Sequence, residues 1–139
     1  RRTEVAGTPS LVPELSVYDA EGNQNTLLQV LADGDKVWIV ESEGRMVGFL
    51  LLMHRPNNQA QLRYFVLEEA FRGKGIGKKL MMHMEELAQR KGCSETVLHA
   101  REIALPFYQK LGYHTIEKSH LLFDEIQHYL MSKKHELSR

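Results

Sequence analysis

From Lys36 onward the apolar positions fall into regular patterns, after a beginning that follows no single period. Val37-Trp38-Ile39-Val40 is a β-branched and aromatic run, closed by the turn Ser42-Glu43-Gly44-Arg45 and followed by Met46 to His54. Together they predict a β-hairpin. A second turn, Arg55-Pro56-Asn57-Asn58, leads to Ala60 to Leu67, so three consecutive strands should form an antiparallel meander. The spacing then lengthens to about 3.6 residues. Ile76, Leu80, Met84, Leu87 and Ala88 share one helical face, and Arg90-Lys91-Gly92 supplies a basic last turn and a glycine stop.

Beyond this helix, Glu95 to His99 predicts another strand. Ala104, Phe107, Tyr108 and Leu111 predict a short helix with one apolar face, started near Pro106 and ended by Gly112. Tyr113 to Lys118 and Ile126 to Met131 complete the chain as two strands. Residues 1–35 are the least readable. Pro9 and Pro13 confine the first dozen to loop or extended conformations, and Leu15 to Tyr18 suggests a strand followed by the turn Asp19-Ala20-Glu21-Gly22. Thr26 to Ala32 has helical character, closed by Asp33-Gly34. The expected fold is a mixed α/β domain spanning 1–139, with one βαβ crossover in its middle.

A length of 139 residues suits one core, and 42% hydrophobic with 26% charged residues is ordinary for a globular chain. Eighteen Lys and Arg balance 18 Asp and Glu, so the positive field that duplex nucleic acid demands is absent and no nucleic-acid partner is expected. The single cysteine, Cys93, cannot form an internal disulfide. It is expected to be structural, and a lone thiol suits the reducing cytoplasm. The longest apolar stretch, Met46 to Met53, falls far short of the roughly 20 residues of a bilayer span, so no membrane role is expected, nor any metal. A start at Arg1-Arg2 without methionine suggests a processed form or a fragment that lacks upstream residues.

The chemistry concentrates in Phe71-Arg72-Gly73-Lys74-Gly75-Ile76-Gly77-Lys78-Lys79, between the third meander strand and the long helix. Glycines at 73, 75 and 77 let the backbone adopt positive φ and aim several N–H groups at one anion. The helix start adds unpaired N–H groups and roughly half a positive charge, while Arg72, Lys74, Lys78 and Lys79 bring cations. A diphosphate ligand is the natural inference. The ATP-type loop needs four residues between its glycines and a hydroxyl after the Lys. Here three residues separate Gly73 from Gly77, and Lys79 occupies the hydroxyl position. The dinucleotide loop needs Gly-x-Gly-x-x-Gly within repeated βαβ units, which this chain lacks.

At this loop the chain resembles the GNAT superfamily of N-acetyltransferases. Arg72-Gly73-Lys74-Gly75-Ile76-Gly77 matches that family's Gln/Arg-x-x-Gly-x-Gly/Ala. Downstream, Ala104-Leu105-Pro106-Phe107-Tyr108-Gln109-Lys110-Leu111-Gly112-Tyr113 matches its Ala-x-x-Phe/Leu-Tyr-x-Lys-x-Gly-Phe/Tyr. The tail from Phe123 to Met131 is similar to that of small bacterial-type members, and the resemblance covers about residues 36 to 131. It implies a GNAT-like acyl-CoA N-acyltransferase fold, a central mixed and mostly antiparallel sheet with flanking helices. It also implies transfer of the acetyl group of acetyl-CoA to a primary amine of a small molecule or peptide, by direct attack in a ternary complex.

The same resemblance assigns roles. The N–H groups of residues 73 to 77, flanked by Arg72 and Lys78, would hold the pyrophosphate of coenzyme A. Phe65, Val66 and Leu67 would offer main-chain groups to pantetheine and to the thioester carbonyl, and Arg101, Ala104, Phe107 and Lys110 would complete the coenzyme contacts. Tyr108 stands at the position of the general acid for the departing thiolate. An amine with a pKa of about 10.4 is neutral only once in a few thousand molecules at pH 7, a deficit of about 4 to 5 kcal/mol, so a base or a desolvating pocket is expected. That family often uses a Glu or a water chain near the middle of the third meander strand, whereas this chain has Gln61, Arg63 and Tyr64 there. Glu125 and His128 on the terminal strand, and His99, remain as candidates, while His83 on the long helix is not assigned to the chemistry. Two other functions stay open at this stage: a catalytically weak module that binds and senses acyl-CoA, or a site for another small phosphate ligand such as a nucleotide. Strand edges that could pair between protomers leave a homodimer open.

Overall fold

The computed structural model describes residues 10–31, 36–122 and 126–136. They fall into two compact units. One takes the described residues up to Met53 together with Tyr64–Met84, and the other takes His54–Arg63 with the described residues from Glu85 onward.

In the first unit β1 (Ser10–Tyr18), β2 (Gln24–Leu31), β3 (Lys36–Ser42) and β4 (Arg45–Arg55, as far as Met53) pair antiparallel in chain order. The β3–β4 hairpin turns on Glu43 and Gly44, at φ 51° and 76°, which is the twist a two-residue turn needs between right-twisted strands. The expected helix over Thr26–Ala32 is instead strand β2. Leu27, Val30 and Leu31 have helical spacing, but β2 finds ladder partners on both sides, Leu28 facing Pro13 of β1 and Ile39 of β3. Pairing of both edges outweighs a weak local preference. Ala32 and Asp33-Gly34 lie outside the described residues. Strand β1 also starts earlier than expected. It tolerates Pro13 because it is an edge strand with an irregularity between Pro13 and Leu15.

The core of this unit gathers Val17, Leu27, Trp38, Val40, Val47 and Leu50 with Ile76, Leu80, Met81 and Met84, all essentially buried. The last four come from α1 (Ile76–Arg90), whose first nine residues belong here. One oxygen of Glu14 accepts from both Trp38 Nε1 (2.7 Å) and His83 Nε2 (2.8 Å), which gives His83 a structural partner.

In the second unit the first part of β5 (Gln59–Leu67) pairs parallel with β6 (Glu95–Arg101), from Gln59↔Glu95 to Leu62↔Leu98. Since α1 connects these two strands in the chain, this is the expected βαβ connection. β6 pairs antiparallel with β8 (Ile126–Lys134), and β8 pairs antiparallel with β7 (His114–Leu122), so the final strand inserts beside β6. Between β6 and β7 a 3-10 turn (Glu102–Ala104) runs into α2 (Leu105–Lys110), with Pro106 in its first turn. The expected apolar face of α2 is only partly buried: Tyr108 is 8% exposed, while Phe107 is 37% exposed. Six residues make fewer than two helical turns, too short for a continuous buried stripe.

A buried polar cluster ties this unit together. Glu85 of α1 accepts from the Tyr113 hydroxyl (3.0 Å) and from Lys133 Nζ of β8 (2.8 Å). Thr96 Oγ1 and His135 Nε2 lie 2.7 Å apart. Burial pushes the Tyr113 hydroxyl well above its usual pKa, with the Glu85 charge adding to the shift, so Tyr113 acts as a donor. Burial also pushes His135 below the ordinary imidazole value. Cys93 is a buried thiol whose pKa burial raises.

Candidate active site

The loop 72–77 enters α1 through Gly73 (φ 71°) and Gly75 (φ 86°), a backbone conformation that side chains with a Cβ adopt at a cost of roughly 1–2 kcal/mol each. A Cβ at either glycine would meet nothing within 4 Å, so the backbone surface there is open. The first α1 amide with a backbone acceptor is that of Lys79, on Gly75 O at 3.3 Å. The N–H groups of Ile76, Gly77 and Lys78 precede it and have no intrahelical partner. No acidic residue stands in the first turn to neutralise the helix terminus. The arrangement suits an anion with several oxygens, such as a diphosphate.

Three of the four cations expected around the loop are engaged with protein groups. Arg72 Nε donates to Leu67 O (2.7 Å), stapling the loop entry to the end of β5. Lys79 Nζ donates to Tyr18 O (2.5 Å), and Lys74 Nζ lies 3.5 Å from Glu21. Lys78 is exposed. Phe65 is half-buried, Val66 exposed and Leu67 buried at the end of β5. Nearby, Tyr64 adopts φ 53° and is 58% exposed, an uncommon backbone conformation for an aromatic residue. Gly48 of β4 lies so close that a Cβ there would sit 2.6 Å from Val66 O. Only a glycine leaves that carbonyl in place.

In the second unit, burial raises the Tyr108 phenol to about 12, which keeps it protonated at neutral pH. Its ring stands edge-on to Phe107 and Tyr113, with centroids 5.0 and 5.9 Å away. Ala104 is half-buried and Lys110 exposed on the same short helical segment. Arg101 ends β6 directly opposite His128 of β8, so two candidates from distant parts of the sequence are register partners. His128 Nδ1 is 3.1 Å from Ile126 O, which favours the tautomer that donates from Nδ1. His99 is exposed on β6, and Glu125 lies outside the described residues. The Glu85, Tyr113 and Lys133 cluster and the Tyr64 backbone were not anticipated. For Tyr64 no residue-type signal exists, whereas Glu85 continues the Met81 stripe one helical turn on.

A sequence profile of the Acetyltransferase (GNAT) family matches residues 7–113. The chain belongs to the GNAT acetyltransferase family. A glucosamine 6-phosphate N-acetyltransferase of Trypanosoma brucei brucei is 35% identical over 89 residues, covering 60% of this GNAT chain and 60% of that protein. An N-acetyltransferase of Escherichia coli (strain K12), YjgM, described as uncharacterized, is 32% identical over 122 residues, or 82% of this chain and 72% of its own length. Against the first curated relatives the chain spans only part of their length, 60% of the trypanosomal protein and 52% of each of two Bacillus subtilis proteins. Among solved structures, a GNAT acetyltransferase from Elizabethkingia anophelis with acetyl-CoA bound shares the fold at a TM-score of 0.65 and 15% identity, over 73% of this chain and 78% of that one. The PaiA N-acetyltransferase of Thermoplasma acidophilum in complex with coenzyme A aligns at 0.61 and 24% identity, over 71% and 60%. The mixed, mostly antiparallel architecture is thus a GNAT fold. Among the described residues no helix is long and apolar enough to cross a membrane.

Proposed function

We propose that this protein is an N-acetyltransferase that transfers the acetyl group of acetyl-CoA to a primary amine of a small molecule or peptide, with both substrates bound at once. The observation that carries it is the loop at the start of α1. Two glycines at positive φ, an open backbone surface and the leading helix amides make a cradle for a diphosphate, in a chain of the GNAT family. Bound there, acetyl-CoA would supply an activated thioester carbonyl and a thiolate leaving group.

Gly73, Lys74, Gly75, Ile76, Gly77 and Lys78 hold the diphosphate in this account, with Arg72 keeping the loop in place. Phe65, Val66 and Leu67 present main-chain groups to the pantetheine arm, and one N–H stabilises charge developing on the carbonyl oxygen. Arg101, Ala104, Phe107 and Lys110 contribute the remaining coenzyme contacts. His128 takes the proton from the amine, and Glu125 is the second candidate for that task. Tyr108 acts on the leaving sulfur. With a pKa of about 12 its phenol is a weaker acid than a thiol near 8.5, so its main contribution is a hydrogen bond to the developing thiolate.

An amine acceptor is supported by relatives and neighbours named for glucosamine 6-phosphate and for a complex bound to a peptide and CoA. The buried thiol of Cys93 suits action in the reducing cytoplasm. The test is release of free thiol from acetyl-CoA with a panel of amino sugars, polyamines, amino acids and peptides. Saturable turnover with one class is expected. Silence with every amine, despite tight coenzyme binding, would overturn the transferase assignment.

A further inference from the structure

The tip of the β1–β2 hairpin is fastened to the phosphate loop. Ala20 N donates to Lys74 O at 2.8 Å, Lys74 Nζ approaches Glu21 at 3.5 Å, and Lys79 Nζ donates to Tyr18 O at 2.5 Å. The tip is itself cross-braced by hydrogen bonds. Asp19 Oδ1 accepts from Glu21 N (2.9 Å) and Asn23 N (2.8 Å), its Oδ2 accepts from Asn23 Nδ2 (3.1 Å), and Gly22 N closes the turn on Asp19 O (3.0 Å). A pre-formed turn therefore presents one N–H to one loop carbonyl.

That contact has a directional consequence. In a planar trans peptide the C=O and the following N–H point in opposite directions. Holding the Lys74 carbonyl toward Ala20 turns the Gly75 N–H away from the hairpin, in a loop where a Cβ at Gly75 would meet nothing within 4 Å. Without such an anchor, a peptide flanked by glycines at positive φ could rotate and direct its carbonyl oxygen toward the anion instead. We infer that Ala20, through its backbone N–H, is a positioning residue that orients the Lys74–Gly75 peptide so that its amide faces the coenzyme diphosphate. Asp19 is the brace that holds the turn. This rests on the assignment of the loop to coenzyme A made above.

Ala20→Pro breaks the contact, because the ring Cδ replaces the amide hydrogen against Lys74 O. Ala20 is the second residue of the turn Asp19-Ala20-Glu21-Gly22, where proline is favoured, so the substitution removes the donor and leaves the turn chemistry intact. Calorimetry with coenzyme A should show a dissociation constant raised roughly tenfold or more, the size of one hydrogen bond to a charged group. Melting temperature should stay close to that of the wild type, and kcat at saturating acetyl-CoA should change by less than about twofold, since the contact orients the carrier and does not touch the reacting atoms. Asp19→Ala, which unlocks the same tip, should weaken coenzyme affinity in the same direction, and it decides the matter if the proline variant does not fold. Unchanged affinity in a folded variant, or a fall in kcat with affinity intact, overturns the positioning role while leaving the transferase assignment standing. A wild-type protein that binds no coenzyme A overturns both.

Discussion

Gly48→Ala separates a steric requirement from a conformational one. Gly48 is not among the glycines at positive φ, so alanine meets no backbone strain, yet its Cβ would lie 2.6 Å from Val66 O, 3.0 Å from Leu67 Cδ1 and 3.3 Å from Leu67 Cα. The nearest of these atoms is a main-chain oxygen, so relief requires β5 to move by roughly 0.8 Å to restore an ordinary contact near 3.4 Å. Overpacking of this kind costs about 1–3 kcal/mol. Removing the glycine's freedom from the unfolded chain returns about 0.4–1 kcal/mol. The net loss should be about 1–2 kcal/mol, a fall in Tm of about 3–8 °C for a chain of this length. Because the displaced atoms belong to Val66 and Leu67, coenzyme affinity should fall as well. Thermal unfolding by circular dichroism and calorimetric titration with coenzyme A read the two effects separately. A Tm equal to or above that of the wild type would show that β5 yields without cost, and would refute the view that Gly48 fixes this strand.

Other substitutions probe the rest of the account. Tyr108→Phe should lower kcat by about 10²-fold, the loss expected for one donor to a developing anion, while leaving coenzyme A affinity within severalfold; equal turnover would remove the phenol from the leaving-group step. Gly75→Val should abolish measurable coenzyme binding, because a β-branched residue resists φ 86° and covers the open amide surface; retained affinity would contradict the cradle. Glu85→Ala leaves Lys133 and the Tyr113 hydroxyl without their acceptor. Since Lys133 keeps some contact with water, the loss should be about 2–3 kcal/mol, below the range for a fully buried pair. Urea unfolding measures it, and a loss below about 1 kcal/mol would show that water replaces the carboxylate. Finally, Glu95 is held below the usual carboxylate range by the Ser132 and Gln59 hydrogen bonds, and His135 is lowered by burial. Both groups bind protons more readily in the unfolded chain, so the stability they provide is complete above their unfolded pKa values and lost as pH falls through the folded ones. Stability should therefore decline on acidification below about pH 6.5 for His135 and about 4.5 for Glu95. His135→Gln should flatten the upper part of this decline, and an unchanged pH profile would contradict it.

Much of the framework was legible because its signals are local. Glu43-Gly44 turns where a hairpin demands it, Gly92 ends α1 at φ 83°, and the glycine loop announces itself by composition. Thr26–Ala32 misled because three apolar residues at helical spacing also suit a strand buried between two neighbours, and only pairing with β1 and β3 decides between them. Tertiary features left no local trace. Nothing near Ala20 signals that its amide meets a carbonyl more than fifty residues onward, and nothing near Glu85 signals that Tyr113 and Lys133 will surround it. Phe107 falls on the predicted apolar face, yet a six-residue helix with Tyr108 turned inward leaves it 37% exposed.

The central claim, that the amides opening α1 bind a diphosphate carrier, is tested most directly by titrating the 15N-labelled protein with coenzyme A and following its backbone amide resonances. Saturable shifts that are largest at Gly73, Lys74, Gly75, Ile76 and Gly77 are predicted. Saturation with the principal shifts elsewhere, or no response at millimolar coenzyme, would contradict it.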